Sequence, residues 1–309
     1  MHRLPKLPVG AAYLFLNNTS RRNALSLPVL HDLSAQLKQH LTSPSTGRFL
    51  TLPPFRPSLL NSLRSTKNPQ HEHEYNWLLD SSQWQRERKS LPKVLVLRSL
   101  GPVFSSGHDL REVSSMSKSE RRELFQACAD LMGLIRQSPV PVVCAVQGLA
   151  TAAGFQLAMA CDVTIARAST QFQLPGMSIG LPCTSPSTAV SRRIPAGLAY
   201  RMFATAEKVR ADQLGGVVDV VESEEESAFE GRVMETVERL VGMPGQPQAL
   251  GKWAFWTQAG IEADEEGEGD GFQEAARWAG DAMVLHAGSG EAREGMEAFL
   301  GKRRPKWET

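Results

Sequence analysis

Two short runs of small residues, each following an apolar run, are the parts of this sequence best suited to chemistry. The longer stretch, 139–162, reads P-V-P-V-V-C-A-V-Q-G-L-A-T-A-A-G-F-Q-L-A-M-A-C-D. Its apolar, β-branched part, 140–146, predicts a buried strand, and the small residues 150–154 predict a tight turn into a buried helix. The N-terminus of such a helix presents backbone N–H groups that can bind an anion. The alternative is that the small residues only let the helix pack closely on the strand.

The second run repeats this pattern and favours the chemical interpretation. Residues 93–97 (K-V-L-V-L) predict another buried strand, and a loop with Ser105, Ser106 and Gly107 follows it. Two strand ends with free amides can converge on one carbonyl oxygen and form an oxyanion hole. The sequence therefore predicts a site for a substrate whose carbonyl oxygen gains negative charge.

The two runs together resemble the enoyl-CoA hydratase/isomerase (crotonase) superfamily. The motifs that carry the resemblance are F-S-S-G-H-D-L at 104–110 and G-L-A-T-A-A-G-F-Q-L-A-M-A-C-D at 148–162. Further matches, in family order, are L-N-N-T-S-R-R-N-A-L-S at 16–26, A-D-Q-L-G-G-V-V-D-V-V at 211–221 and E-G-M-E-A-F-L-G-K-R-R-P-K-W at 294–307. The resemblance covers nearly the whole chain except 43–91.

The resemblance implies an α/β fold with a crotonase-like (ββα)n superhelix spiral core over residues 11–222 and a C-terminal helical trimerisation region over 223–309. Because the helical tail of this superfamily packs on neighbouring subunits, we expect a homotrimer or hexamer. The motifs are most similar to a mitochondrial group, which implies a mitochondrial protein of fatty-acid metabolism. The N-terminus has basic residues and two prolines and is not a convincing presequence.

Composition narrows the functional classes. The chain has 309 residues and a formal net charge of +1, which gives no argument for a nucleic-acid partner. No apolar run reaches the roughly 18 residues of a membrane span. The four cysteines stand singly without a C-x-x-C pair, which favours buried reduced thiols over a disulfide framework or a zinc site.

Residues 43–91 break the family pattern with five prolines and many polar residues. A long structureless connection is unusual in a compact domain. We therefore expect a disordered surface insertion or sequence retained from a mis-spliced gene model. A docking arm for assembly is a further alternative.

Three weaker motifs predict no site. His71 and His73 lack the further ligands of a closed metal site. The acidic run Asp264-x-Glu266-x-Glu268 has Ala275 where a calcium loop needs its closing glutamate. The pattern Ser115-x-x-Lys118 overlaps a capping box beginning at Ser117, so a helix start explains it. We therefore expect no metal.

The resemblance assigns the site residues. It implies that the oxyanion donors are the backbone amides of His108 and Ala153. The two glutamates that hydratases use as general base and acid are replaced here by Gln156 and Gly176. An amide does not exchange protons near neutral pH, and each acid–base group contributes about 10²–10⁴-fold. We therefore expect weak or absent hydratase activity.

The expected ligand is an acyl-CoA thioester, with no cofactor beyond the coenzyme A moiety of that substrate. By resemblance, the coenzyme A contacts are assigned to Arg22, Ala24, Leu25, Ser105, Gly107, Asp109 and Leu110. We interpret the His108 side chain as facing solvent or coenzyme A, and a catalytic histidine is the alternative. Two functional alternatives stay open: an enzyme of this family with reduced activity, and a non-catalytic acyl-CoA sensor or partner subunit.

Overall fold

The computed structural model describes residues 4–64, 74–261, 294–295, 297–298 and 301–306. Two compact units divide the chain. The first is drawn from Met1–His40, Pro92–Arg136 and Pro141–Leu240, and the second from Leu41–Leu91, Gln137–Val140 and Val241–Thr309. The predicted histidine pair 71–73 and acidic run 264–268 lie outside the described residues.

The described strands all belong to the first unit. They are Ala11–Leu16 (β1), Val94–Ser99 (β2), Val142–Val146 (β3), Leu149–Thr151 (β4), Val163–Arg167 (β5), Gln171–Gln173 (β6), Lys208–Arg210 (β7) and Asp219–Val221 (β8). A five-stranded parallel sheet has the order β1-β2-β3-β5-β8, and a three-stranded sheet has the order β4-β6-β7. In the smaller sheet β4 pairs with β6 in parallel, and β6 pairs with β7 antiparallel.

The described helices span both units. They are Leu27–Leu41 (α1), Leu59–Arg64 (α2), Asn76–Leu79 (α3), Ser81–Arg88 (α4), Leu110–Ser115 (α5), Lys118–Arg136 (α6), Ala153–Ala160 (α7), Thr184–Val190 (α8), Ala196–Thr205 (α9), Glu226–Val241 (α10) and Gly245–Gln258 (α11). Short 3₁₀ helices cover Thr19–Arg21, Pro175–Ile179 and Ala211–Leu214.

The buried strands form where the sequence predicts them. Every residue of β2 and of β3 is buried, because strands inside a parallel sheet are covered on both faces and therefore consist of continuous apolar runs. The capping box is also present: Ser117 N–H donates to Glu120 Oε2 at 2.6 Å, and Glu120 N–H donates to Ser117 Oγ at 3.3 Å. This box starts α6 at Lys118.

The first unit includes nearly all of α10, which the sequence prediction assigned to a separate C-terminal region. The reason is a set of contacts around Phe229, a buried residue of α10. The guanidinium groups of Arg98 (β2) and Arg167 (β5) each lie 5.1 Å from its ring centre, and Arg98 also pairs with Glu230. This ion pair and the two ring contacts attach α10 to the five-stranded sheet.

The second unit has its own core, built by α2, α3, α4 and α11. The Trp77 and Trp84 rings stack with centres 5.7 Å apart. Trp253 of α11 is fully buried and donates its indole N–H to the Pro54 carbonyl oxygen at 3.1 Å. The aliphatic side chains of this core are Leu50, Leu52, Leu60, Leu63, Leu78, Ala249, Leu250 and Ala254.

The expected disorder of 43–91 therefore differs from the structure, in which 43–64 and 74–91 fold into this core. The segment alone shows no helical periodicity because many of its contacts are distant in the chain. Gln246, for example, donates to the Leu78 carbonyl oxygen at 2.9 Å and accepts from the Ser81 hydroxyl at 3.0 Å. The prolines and polar residues of the segment suggested disorder because the contacts with α11, which complete its core, cannot be seen in the local sequence.

All four cysteines are buried free thiols, as the sequence predicts. Within the parts of the chain that the structure describes, no helix combines the length and the apolar character needed to cross a bilayer.

Candidate functional site

The two loops singled out by the sequence pack directly against each other. Thr151 N–H donates to the Ser105 carbonyl oxygen at 3.0 Å. Gly107 has φ +80°, and a Cβ there would lie 2.8 Å from the Ala152 Cβ and 3.0 Å from the Thr151 carbonyl oxygen. A Cβ on Gly154 would lie 2.6 Å from the Ser105 Cβ. Both glycines are needed because the two backbones approach too closely for any side chain.

A buried asparagine that the sequence analysis did not single out holds a third loop to these two. The Asn23 side chain donates to the carbonyl oxygens of Leu100 and Val103, both at 2.7 Å, and accepts from Asn18 N–H at 2.8 Å. The Ser105 hydroxyl donates to the Asn23 carbonyl oxygen at 2.8 Å. Asn23 has φ +53°, a conformation that asparagine tolerates better than most residues. An asparagine at this turn was therefore the feature of the sequence that could have indicated its role.

The residues predicted to contact coenzyme A are grouped on these loops. Ser106 N–H donates to the Arg22 carbonyl oxygen at 3.1 Å, and Leu25 N–H donates to the Gly107 carbonyl oxygen at 2.8 Å. The side chains of Ala24, Leu25 and Ser105 are buried, whereas Arg22 and Leu110 are exposed.

Asp109 has two structural partners within this group. It accepts Arg111 N–H at 3.0 Å as the N-cap of α5, and it pairs with Arg21 at 3.1 Å. The Asp109 carboxylate therefore both caps α5 and binds Arg21.

At the junction, the main-chain N–H groups of His108 and Ala153 have no hydrogen-bond acceptor among the described residues. Ala153 is the first residue of α7, where the helix itself provides no acceptor. The preceding Ala152 has φ 51° and ψ −121°, a strained conformation for a residue with a side chain. Strain of this kind is common at functional sites.

A cavity of about 560 Å³ opens beside this junction, within the usual range for small-molecule sites. The residues that matter for its chemistry are His108, Phe125, Ala152, Gly176, Cys183 and Thr188. Its wall is mainly apolar, and the described residues that line it include no carboxylate. Phe125 and Thr188 escaped the sequence analysis because only the fold brings α6 and α8 to this cavity.

Gln156 is buried, with 2% of its surface exposed. Its amide donates to the Thr188 hydroxyl at 3.4 Å, and its carbonyl oxygen lies 3.9 Å from the Cys128 sulfur. Thr188 in turn donates to the Ser185 carbonyl oxygen at 2.7 Å. Thr188, rather than Gln156, therefore presents the polar group at this part of the cavity.

Gly176 is enclosed by the segment that follows it. A Cβ at this position would lie 2.0 Å from the Leu181 carbonyl oxygen and 2.9 Å from the Cys183 sulfur. Leu181 N–H donates to the Gly176 carbonyl oxygen at 2.9 Å, and Gly176 N–H donates to the Cys183 sulfur at 3.2 Å. The space that a side chain would need is already occupied.

Cys183 is a poor nucleophile in this setting. Burial raises the pKa of its thiol, while the N–H of Gly176 donates to the sulfur and lowers it by a smaller amount. Within the described residues, no group of three metal-binding side chains occurs.

Comparison with known proteins places these features in a family. The family model for enoyl-CoA hydratase/isomerase matches residues 78–309. The mitochondrial enoyl-CoA hydratase domain-containing protein 3 of Danio rerio is 33% identical over 301 residues, covering 96% of this chain and 84% of that protein. Its counterpart from Mus musculus is 36% identical over 218 residues, covering 70% of this chain and 69% of that protein.

Comparison with solved structures gives the same family. The crystal structure of human enoyl-CoA hydratase domain-containing protein 3 superposes with a TM-score of 0.72 at 29% identity, covering 98% of both chains. An enoyl-CoA hydratase from Mycobacterium smegmatis gives a TM-score of 0.72 at 30% identity with the same coverage. The predicted fold class is thereby confirmed, and this chain belongs to the enoyl-CoA hydratase/isomerase (crotonase) family.

Proposed function

We propose that this protein binds an acyl-CoA thioester and holds its carbonyl oxygen between the main-chain N–H groups of His108 and Ala153. The observation that carries the proposal is the junction of two loops that leaves these two amides without an acceptor beside an apolar cavity. Such donors stabilise the enolate that forms when the thioester loses a proton at Cα. Loss of one donor typically costs about 3 kcal/mol in the transition state.

Hydration of enoyl-CoA is weak or absent in this proposal. Hydration needs a group that activates water and another that protonates Cα. Gln156 is a buried amide bonded to Thr188, and Gly176 leaves no room for an acid. Neither position 156 nor position 176 therefore supplies a carboxylate that could activate water in this cavity.

Calorimetry tests the binding. We expect saturated and unsaturated acyl-CoA thioesters to bind, and to bind at least about tenfold more tightly than free coenzyme A, because only the thioester places an oxygen between the two donors. Equal affinity for free coenzyme A and its thioesters would contradict the oxyanion assignment. A complete lack of binding by both would remove the proposed function.

Turnover of crotonyl-CoA, followed by loss of the enoyl absorbance, tests the reduced activity. We expect a rate at least about 100-fold below that of a family hydratase with both glutamates, since one missing acid–base group alone has this effect. A rate equal to such a hydratase would contradict the proposal.

The second candidate is a non-catalytic acyl-CoA sensor or partner subunit of mitochondrial fatty-acid metabolism, and it predicts no turnover of any thioester. The enclosed Gly176 favours it, because a protein under no demand for proton transfer can lose both carboxylates. Assembly into a homotrimer or hexamer is expected from the family, and the mass of the assembly in solution tests it. Robust turnover of any acyl-CoA would contradict the non-catalytic role.

A further inference from the structure

The imidazole of His108 has a defined orientation and tautomer. Its Nδ1 lies 2.9 Å from the Leu25 carbonyl oxygen. A carbonyl oxygen only accepts hydrogen bonds, so Nδ1 carries the proton and, in the neutral ring, Nε2 carries the lone pair. Leu25 is held in place because its own N–H donates to the Gly107 carbonyl oxygen at 2.8 Å.

The Nε2 atom has no hydrogen-bond partner among the described residues. The His108 ring lies edge-on to Phe125 with centres 5.3 Å apart. Both rings line the cavity. The sequence analysis favours a side chain that faces solvent or coenzyme A over a catalytic one.

His108 is also the titratable group best suited to move a proton here. Among the described residues that line the cavity, the side chains that titrate are those of His108 and Cys183. Burial lowers the pKa of His108, and the Leu25 carbonyl opposes this by a smaller amount, so the ring is neutral at pH 7. Burial raises the pKa of Cys183, which therefore stays a thiol.

The charged groups around the histidine are carried by the loops and helices next to it. Those of the 21–25 loop, the 109 position, α5 and α6 are Arg21, Arg22, Asp109, Arg111, Glu112, Lys118, Glu120, Arg121, Arg122, Glu123, Asp130 and Arg136. Arg21 and Asp109 pair with each other. The shift of the His108 pKa has burial and the Leu25 carbonyl as its causes.

We propose that Nε2 of His108 is the catalytic base of this site and removes a proton from Cα of the bound thioester. This inference rests on the proposed function, because the amides of His108 and Ala153 must hold the resulting enolate. The Cα–H bond breaks, the proton moves to Nε2, and the electron pair is delocalised onto the thioester oxygen. Return of the proton to Cγ completes a shift of the double bond, with no atom or electron gained or lost.

The inference concerns the identity of the base, and a substrate with an activated Cα proton is needed to detect it. A buried imidazole with a lowered pKa is a weak base, so it needs a carbon acid that is already activated. A 3-enoyl thioester has this property, because its Cα proton is adjacent to both the carbonyl group and the double bond. Isomerisation of a 3-enoyl to a 2-enoyl thioester, the kind of reaction for which the family is named, therefore serves as the assay for His108.

Two measurements in the full-length protein test the inference. Deuterium entry at Cα and Cγ of a 3-enoyl-CoA in D₂O is followed by mass spectrometry, and formation of the 2-enoyl product is followed by absorbance. His108→Asn is the main variant, since its amide can still donate to the Leu25 carbonyl while lacking Nε2. His108→Gln is the second variant, and thermal unfolding checks that both are folded.

We expect His108→Asn to lower the exchange and isomerisation rates about 100-fold or more while acyl-CoA affinity stays within about threefold. The wild-type rate should rise with pH to a plateau, with an apparent pKa below 6.5, and the variant should lose this profile. Exchange in both folded variants at the wild-type rate would overturn the assignment. Binding without exchange by the wild-type protein would overturn it too, yet leave the proposed function intact, whereas absent binding would remove both.

Discussion

The Cβ position of Gly176 lies 2.0 Å from the carbonyl oxygen of Leu181, so residue 176 cannot carry a side chain unless the 181–183 segment moves. Cys183 reinforces the enclosure, since its sulfur accepts the Gly176 N–H at 3.2 Å. A glutamate at this position, where the resemblance implies that family hydratases carry one, would therefore find no space in this structure. An acid at position 176 would also require the 181–183 segment to move.

We predict that the double variant Gln156→Glu with Gly176→Glu gains no hydratase activity. The new side chain at 176 must displace Leu181 and Cys183, which line the cavity, and overpacking of this kind costs about 1–3 kcal/mol. Crotonyl-CoA turnover and urea unfolding measure the two effects. The control is Gly197→Glu, where a Cβ has open space. A double variant with hydratase turnover and unchanged stability would contradict the enclosure.

Gln156→Glu alone should destabilise the protein in a pH-dependent way. The position is buried beside Cys128 and Thr188, so burial raises the pKa of the new carboxyl group above its unfolded value near 4.3. The folded protein then holds the proton more tightly, and stability falls as pH rises above that unfolded value. We expect a loss of about 3 kcal/mol at pH 8, by urea unfolding, and a smaller loss at pH 5.

The matched control for this variant is Gln156→Met, which has a similar size and no charge. It loses the bond to Thr188 at either pH, so its effect on the free energy of unfolding should not vary with pH. Equal losses for Gln156→Glu at pH 5 and pH 8 would show that the carboxylate reaches water.

Gly107→Ala should separate the two loops of the candidate site. Its Cβ would lie 2.8 Å from the Ala152 Cβ and 3.4 Å from the Ala153 nitrogen, in addition to the strain of φ +80°. Gly216→Ala is the control, because Gly216 has φ +83° and open space around it. We expect the free energy of unfolding of Gly107→Ala to be about 2 kcal/mol lower than that of Gly216→Ala. We also expect Gly107→Ala to bind acyl-CoA more weakly. Equal free energies of unfolding for the two variants would show that the loops can move apart to accommodate the added methyl group.

Trp253→Ala should expose residues 43–64 and 74–91 to proteolysis. The indole is buried in the second unit and bonded to Pro54, so its removal should lower the free energy of unfolding by about 3–5 kcal/mol. Phe255→Ala is the control, because Phe255 is 58% exposed on the same helix, and its replacement should change stability by less than about 0.5 kcal/mol. If limited proteolysis cuts both variants at the same rate, α11 does not support this segment.

Local sequence patterns were sufficient to predict much of the secondary structure of the first unit. The buried strands predicted at 93–97 and 140–146 and the capping box at Ser117 are present, because each depends on neighbouring residues in the chain. The second unit was missed for the opposite reason. Trp253 of that unit bonds to Pro54, which is remote in the chain, and prolines interrupt any periodic signal.

By itself, the sequence determined the family, the two small-residue loops and the absence of glutamate at 156 and 176, since residue types and their order carry this information. Only the tertiary structure decided that Gly176 is enclosed, that Gln156 bonds to Thr188, and that Leu25 fixes the tautomer of His108. These properties depend on distances between segments that are remote in the chain. Packing, rather than local sequence, sets such distances.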